Sequence, residues 1–172
     1  MQQKIEAVKR EISKAVRGKD DIILKVLAAI FAGGHVLLED IPGVGKTTLA
    51  MSIAKTLDLK YKRVQFTPGV LPSDLLGFSM YNSSNREFEY KEGAVMCNLF
   101  LADEINRTSP KTQSALLEVM EEGNVTVDGV TRQLPTPFTV IARTRPPDVT
   151  SLPSFIAVPA WNTFILLQGV LL

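Results

Sequence analysis

The sequence predicts an α/β fold, a parallel sheet flanked by helices, and three observations carry the prediction. A short apolar run, Val36-Leu37-Leu38, gives way to the glycine-containing loop Ile41-Pro42-Gly43-Val44-Gly45 and then to a helix-compatible stretch that opens with Lys46-Thr47-Thr48. A second run, Asn98-Leu99-Phe100-Leu101-Ala102, is continuous and ends in Asp103-Glu104 before a loop. That is the pattern of a buried parallel strand delivering carboxylates to the carboxyl edge of its sheet. Around these two runs, strand-like segments alternate with segments of helical periodicity, as a chain built from βαβ units requires.

Taken in order, Ile5, Val8, Ile12 and Val16 recur at helical spacing among Lys, Arg and Glu, which predicts an amphipathic helix stopping near Gly18. Asp20-Asp21 starts a second helix over 22–31, closed by Gly33-Gly34. After the strand at Val36, the glycine loop and the helix that follows (49–57) aim several backbone N–H groups and a positive dipole end at one spot. A polyphosphate suits that spot. Gly43 and Gly45 let the backbone approach it, Lys46 reaches the outer phosphates as a point charge, and the Thr47 hydroxyl is placed to ligate the Mg²⁺ carried with a nucleotide. The full pattern G-x-x-x-x-G-K-[ST] has glycine where this chain has Asp40. The first turn is therefore made without glycine's freedom at positive φ, in a conformation that Asp tolerates better than most residues.

Lys62-Arg63-Val64-Gln65-Phe66 reads as the next strand, and the polar segment 79–92, with Phe88 and Tyr90 alternating around Glu89, reads as a hairpin. At the end of the apolar run 98–102, Asp103 comes first out of the strand and suits a Mg²⁺ shell. Glu104, one residue on, points elsewhere and can orient an attacking water or accept its proton. Ser109-Pro110 opens a helix with the buried stripe Leu116, Leu117 and Met120, and Gly123 closes it. Val125-Thr126-Val127, Asp128-Gly129 and Val130-Thr131-Arg132 form a tight hairpin, because Asp-Gly supplies the positive φ angles of a two-residue turn. Phe138 to Ala142 is a further buried strand. His35 and Cys97 flank strands without metal-ligand spacing and read as structural.

The glycine loop, the segment 101–123 and the run 65–74 resemble the MoxR family of AAA+ ATPases, and the resemblance extends from near the start of the chain to about Ala142. It implies a three-layer P-loop NTPase domain of the AAA+ type that binds Mg²⁺-ATP, hydrolyses it, works as a homo-oligomeric ring, commonly hexameric, and remodels protein complexes. The client protein is not specified by it. By the resemblance Lys46 and Thr47 are Walker A residues, Asp103 and Glu104 are Walker B residues, and Glu104 and Lys46 act in catalysis. Pro42, Gly43, Val44, Gly45, Lys46, Thr47 and Thr48 hold the nucleotide, Thr47 and Asp103 hold Mg²⁺, and Gly18, in Val16-Arg17-Gly18, lies beside the adenine. Read from its residues alone, that last segment is equally a turn between two helices. The 79–92 hairpin corresponds to a family insert at the central face of the ring, and from its residues alone it is a solvated surface hairpin.

The resemblance breaks after Ala142. The family's strand runs into Thr-Gln-Asn-Pro, whose Asn senses the terminal phosphate, whereas this chain has Arg143-Thr144-Arg145-Pro146. A shift of reading frame through codons for Gln-Asn-Pro and a naturally divergent tail both account for the change. The expected organisation is thus a partial AAA+ core, 1–142, and a divergent apolar tail, 143–172, with no arginine-finger segment, no further core strand and no helical lid domain. On that reading the strand at Val36 to Leu38 is left at an exposed edge, unless the run Phe164-Ile165-Leu166-Leu167 covers it. A nucleotide-binding module without turnover is the alternative to an ATPase.

Composition excludes other classes. With 172 residues, 45% hydrophobic and 22% charged, the chain suffices for one domain with a real core. A net charge of +1, from 19 basic and 18 acidic residues, gives no electrostatic case for nucleic acid or an anionic membrane. A single cysteine precludes an internal disulfide, and the polar opening segment does not read as a signal peptide, so a cytoplasmic setting is expected. The tail from Leu152 to Leu172 has no charged residue, but Pro153, Pro159, Asn162 and Gln168 interrupt it, and no membrane span is expected.

Overall fold

The computed structural model describes residues 2–39, 46–144 and 164–168, with side chains for 5–38 and 47–144. In chain order the elements are α1 (Gln2–Ala15), α2 (Asp20–Phe31), β1 (His35–Glu39), α3 (Lys46–Thr56), β2 (Tyr61–Gln65), α4 (Pro72–Leu76), β3 (Gly77–Asn82) and β4 (Glu87–Glu92). There follow β5 (Leu99–Asp103), a 3₁₀ turn (Ile105–Arg107), α5 (Pro110–Glu122), β6 (Asn124–Val127), β7 (Val130–Gln133), β8 (Thr139–Thr144) and β9 (Phe164–Gln168).

Side-chain alternation builds three layers. Five strands form one sheet in the order β2-β5-β8-β1-β9, every neighbouring pair parallel. Successive strand residues point to opposite faces. Val36, Leu38, Leu99, Leu101 and Ile141 therefore join Ile12 of α1, Ile23 and Leu27 of α2 and Ile53 of α3 on one face. Leu37, Phe100, Ala102, Val140 and Ala142 join Phe66, Leu75, and Leu116 and Val119 of α5 on the other. Every residue of β5 is buried, as a strand covered on both faces must be. Burying one such Leu or Phe contributes about 1.5–3 kcal/mol.

The local signals in the sequence act where expected. Ser109 caps α5, its hydroxyl accepting from the Thr112 N–H at 3.2 Å, and Gly123 ends that helix at φ 67°. Asp128 and Gly129, at φ 51° and 74°, make the two-residue turn between β6 and β7. The hairpin of β3 and β4 runs in register from Gly77↔Glu92 to Asn82↔Glu87 and exposes Phe78, Met80, Tyr81 and Phe88. Its root is tight. The Ala94 and Val95 N–H groups donate to the Asp74 and Leu75 carbonyls at 2.9 and 3.1 Å, and the Arg132 guanidinium lies 3.9 Å over the Tyr90 ring.

Beyond Ala142 the sequence reading found no further core strand of the family pattern and left the run Phe164 to Leu167 two fates, to cover the β1 edge or to leave it exposed; the structure has the first. β8 continues through Arg143 and Thr144, and β9 pairs with β1 from His35↔Phe164 to Glu39↔Gln168. The physical reason lies in β1: Val36, Leu37 and Leu38 are all essentially buried, and a strand apolar on both faces is unsuited to an open edge with a row of unpaired backbone groups. The run 164–167 supplies the missing neighbour.

Candidate functional site

Because the five strands are parallel, their carboxyl ends share one edge, and a single row of the sheet crosses it: Gln65, Asp103, Arg143, Leu38 and Leu167 lie side by side. The glycine loop leaves β1 at this edge and returns as α3 at Lys46. Pro42, Gly43, Val44 and Gly45, like Asp40 and Arg145, lie outside the described residues, as does the Lys46 side chain. Thr47 is half-buried and Thr48 exposed in the first turn of α3. Gly18 sits at φ 72° in the turn between α1 and α2, where a side chain would meet no atom within 4 Å, so its requirement is one of backbone angle.

Asp103 is the chemical centre of the row. It is only 2% exposed, and the Arg63 Nη2 donates to its Oδ2 at 2.7 Å. Arg63 stands two residues before Gln65 on β2 and also donates to the Gln65 Oε1 at 3.3 Å, which orients the guanidinium along the edge. On the other flank, Arg143 Nη1 lies 3.2 Å from Asp103 Oδ1. This second contact is one of charge without direction. Among the described residues neither Asp103 Oδ1 nor Arg143 Nε has a hydrogen-bond partner, although both are buried. Two guanidinium groups thus face one carboxylate, and neither was anticipated as its partner. The departure at Arg143 was visible in the sequence, but its contact follows only from strand register.

Glu104 leaves β5 at φ 57° and ψ 45°, the left-handed region, at a cost of about 1–3 kcal/mol for a residue with a side chain. That conformation turns the chain sharply into the 3₁₀ turn, so Glu104 does not continue the direction of Asp103. Arg107 Nη1 donates to its Oε2 at 2.9 Å, and the Glu104 side chain is 11% exposed. Gln113 of α5 fixes the turn, donating to the Ile105 and Thr108 carbonyls, both at 3.2 Å.

An unbonded carboxylate oxygen at the edge where α3 begins fits a hard divalent cation, which prefers oxygen ligands. Among the described residues no three His, Cys, Asp or Glu gather as a protein-only cage. A nucleotide-borne Mg²⁺ needs none, because it takes one or two protein oxygens beside phosphates and water. His35 and Cys97 stand apart from this edge. His35 Nδ1 accepts from the Val140 N–H at 2.9 Å, so its Nε2 carries the proton and donates to the Met120 carbonyl at 3.2 Å. Burial lowers the His35 pKa and pushes that of the Cys97 thiol up to about 11.

A parallel sheet of this order, with a glycine loop leaving β1 and a carboxylate pair leaving β5, defines an α/β P-loop ATPase fold. Residues 35–154 match the ATPase family associated with various cellular activities (AAA). Chaperone MoxR1 of Mycobacterium tuberculosis is 41% identical over 136 residues, 79% of this chain and 36% of its own. The uncharacterized protein YeaC of Bacillus subtilis is 59% identical over 135 residues, 78% of this chain and 42% of its own. Protein MoxR of Methylorubrum extorquens is 40% identical over 121 residues, 67% of this chain and 35% of its own. The chain belongs to the MoxR-type AAA+ ATPases. It spans 35–42% of the length of these three relatives. A crystal structure of a protein described as an ATPase, from Cytophaga hutchinsonii, superposes with a TM-score of 0.79 at 40% identity, covering 97% of this chain and 51% of that one.

Proposed function

We propose that this domain binds Mg²⁺-ATP at the carboxyl edge of its sheet and hydrolyses it, as part of a homo-oligomeric ring, hexameric by its family, that remodels a client protein in the cytoplasm. The observation that carries the reading is the buried Asp103 carboxylate, delivered by β5 to the edge at which the glycine loop leaves β1. Bound Mg²⁺ would neutralise phosphate charge and help hold the nucleotide in a reactive pose. Asp103 and Thr47 are the residues that would hold it. Pro42 to Gly45 would wrap the phosphates with backbone N–H groups, Thr48 would extend that contact into the first turn of α3, and Lys46 would place a positive charge on the outer phosphate. Gly18 would border the adenine. Glu104, turned away from Asp103 and held by Arg107, would orient the attacking water and take its proton.

A second reading, a nucleotide-binding module without turnover, is favoured by the replacement of the family's phosphate-sensing Asn by Arg145. Turnover by the chain alone is expected to be slow under either reading. The test pairs two measurements. Mg²⁺-ATP should raise the melting temperature of the chain, and Lys46→Ala should remove that rise. Phosphate release should be abolished by Glu104→Gln with the thermal shift retained. A thermal shift without measurable release in the unsubstituted chain selects the module, and no shift at all overturns both readings.

A further inference from the structure

The structure assigns Arg143 the part of a tethered cation that competes with a divalent metal for Asp103 Oδ1. The inference rests on the reading of Asp103 as a metal ligand and goes beyond it. The two guanidinium groups around Asp103 are not equivalent. Arg63 makes a directed hydrogen bond of 2.7 Å to Oδ2 and is braced by Gln65, so it orients the carboxylate and leaves the other oxygen, though buried, without a hydrogen bond among the described residues. Arg143 approaches that other oxygen to 3.2 Å without hydrogen-bond geometry, and its own Nε has no partner among the described residues. Its contact with Oδ1 is one of charge rather than of a directed hydrogen bond. Asp103 is 2% and the Arg143 side chain 16% exposed, so water screens the attraction weakly.

A Mg²⁺ ion sits about 2.1 Å from its ligand oxygen. An ion on Oδ1 would therefore stand within a few ångströms of a guanidinium that cannot lose its charge. Metal and Arg143 exclude one another, and metal binding requires the Arg143 side chain to swing away from the edge. Its register explains how it comes to be there: Arg143 lies on β8, directly between Asp103 of β5 and Leu38 of β1, one residue before β1 ends. The residue at 143 thereby sets the metal affinity of the site, and with it the concentration of divalent cation at which the nucleotide is held.

The experiment titrates Mn²⁺, followed by its electron paramagnetic resonance signal, into the full chain with and without adenosine diphosphate. Removing the charge in Arg143→Thr should tighten Mn²⁺ binding by about tenfold or more, a modest share of what a unit charge a few ångströms away exerts near a protein surface. Arg143→Gln, also neutral, guards against one variant failing to fold, and Arg143→Lys, which keeps the charge, should leave binding weak. Unchanged binding in both neutral variants, together with its loss in Asp103→Asn, overturns the inference and leaves Asp103 as a ligand. Binding that is indifferent to Asp103→Asn as well overturns the ligand assignment and the inference with it.

Discussion

Replacing Gly93 by alanine should pry the β3–β4 hairpin from the body of the domain. Gly93 follows β4 directly, and a Cβ built on it would lie 2.0 Å from the Leu75 carbonyl oxygen, 2.4 Å from the Leu75 carbonyl carbon and 2.3 Å from the Gly77 nitrogen. All three are backbone atoms, so no side chain can rotate away. To relieve the clash the strand must retreat from the end of α4, and the bonds from the Ala94 and Val95 N–H groups to Asp74 and Leu75 retreat with it. Each such bond contributes about 0.5–1.5 kcal/mol. Forced overpacking adds about 1–3 kcal/mol. The expected loss is about 2–6 kcal/mol, and at roughly 2–4 °C per kcal/mol for a chain of this size the melting temperature should fall by about 10 °C in the middle of that range. Calorimetry of Gly93→Ala beside Gly69→Ala is the assay. At Gly69 a Cβ would meet only Thr67 Oγ1, at 3.9 Å, so that variant should lie within about 1 kcal/mol of the unsubstituted chain. Equal melting temperatures for the two variants would refute the argument.

Two further predictions concern β1. With β8 on one side and β9 on the other, the amides of Val36 to Leu38 should exchange with solvent as slowly as those of Leu99 to Ala102 at the centre of the sheet. Exchange at loop rates, seen by mass spectrometry or NMR, would remove β9 from its place. The lowered pKa of His35 predicts acid sensitivity: the folded state prefers neutral imidazole, whose Nδ1 accepts from Val140, so the unfolded chain binds the proton first. Stability is fully present above the ordinary histidine value of 6.5 and falls as the pH drops below it. Urea midpoints measured across that window should decline in the unsubstituted chain and decline less in His35→Gln.

Most of the sheet is legible in the sequence because each inner strand is an apolar run bounded by turn or cap residues. The Asp-Gly turn, the Ser-Pro helix start and the Gly123 stop are local signals, decided by one or two backbone angles. Asp103 and Glu104 are legible by themselves only as the end of a buried strand, and they read as a candidate site because the glycine loop stands upstream in the same domain. What was not legible depends on register. Arg63 and Arg143 are separated by 80 positions in the sequence and meet only because β2, β5 and β8 align Gln65, Asp103 and Arg143 in one row. β9 was legible only as one of two fates for its run, covering the β1 edge or leaving it exposed. Four apolar residues in a charge-free tail suit a strand, a buried segment or an aggregation-prone stretch equally, and only the unmet need of β1 selects among them.

The pairing of β1 with β9 also bears on when the site can form. Residues 35–39 find one neighbour in 139–144 and the other in 164–168, so the strand from which the glycine loop hangs is joined on both sides by chain made long after it. During synthesis the N-terminal helices emerge well before either neighbour exists, and contacts at such sequence separation are the slow ones to close. A nascent chain halted before residue 164 would carry the loop on a strand with one flank open, a natural place for a chaperone, or a second nascent chain, to bind.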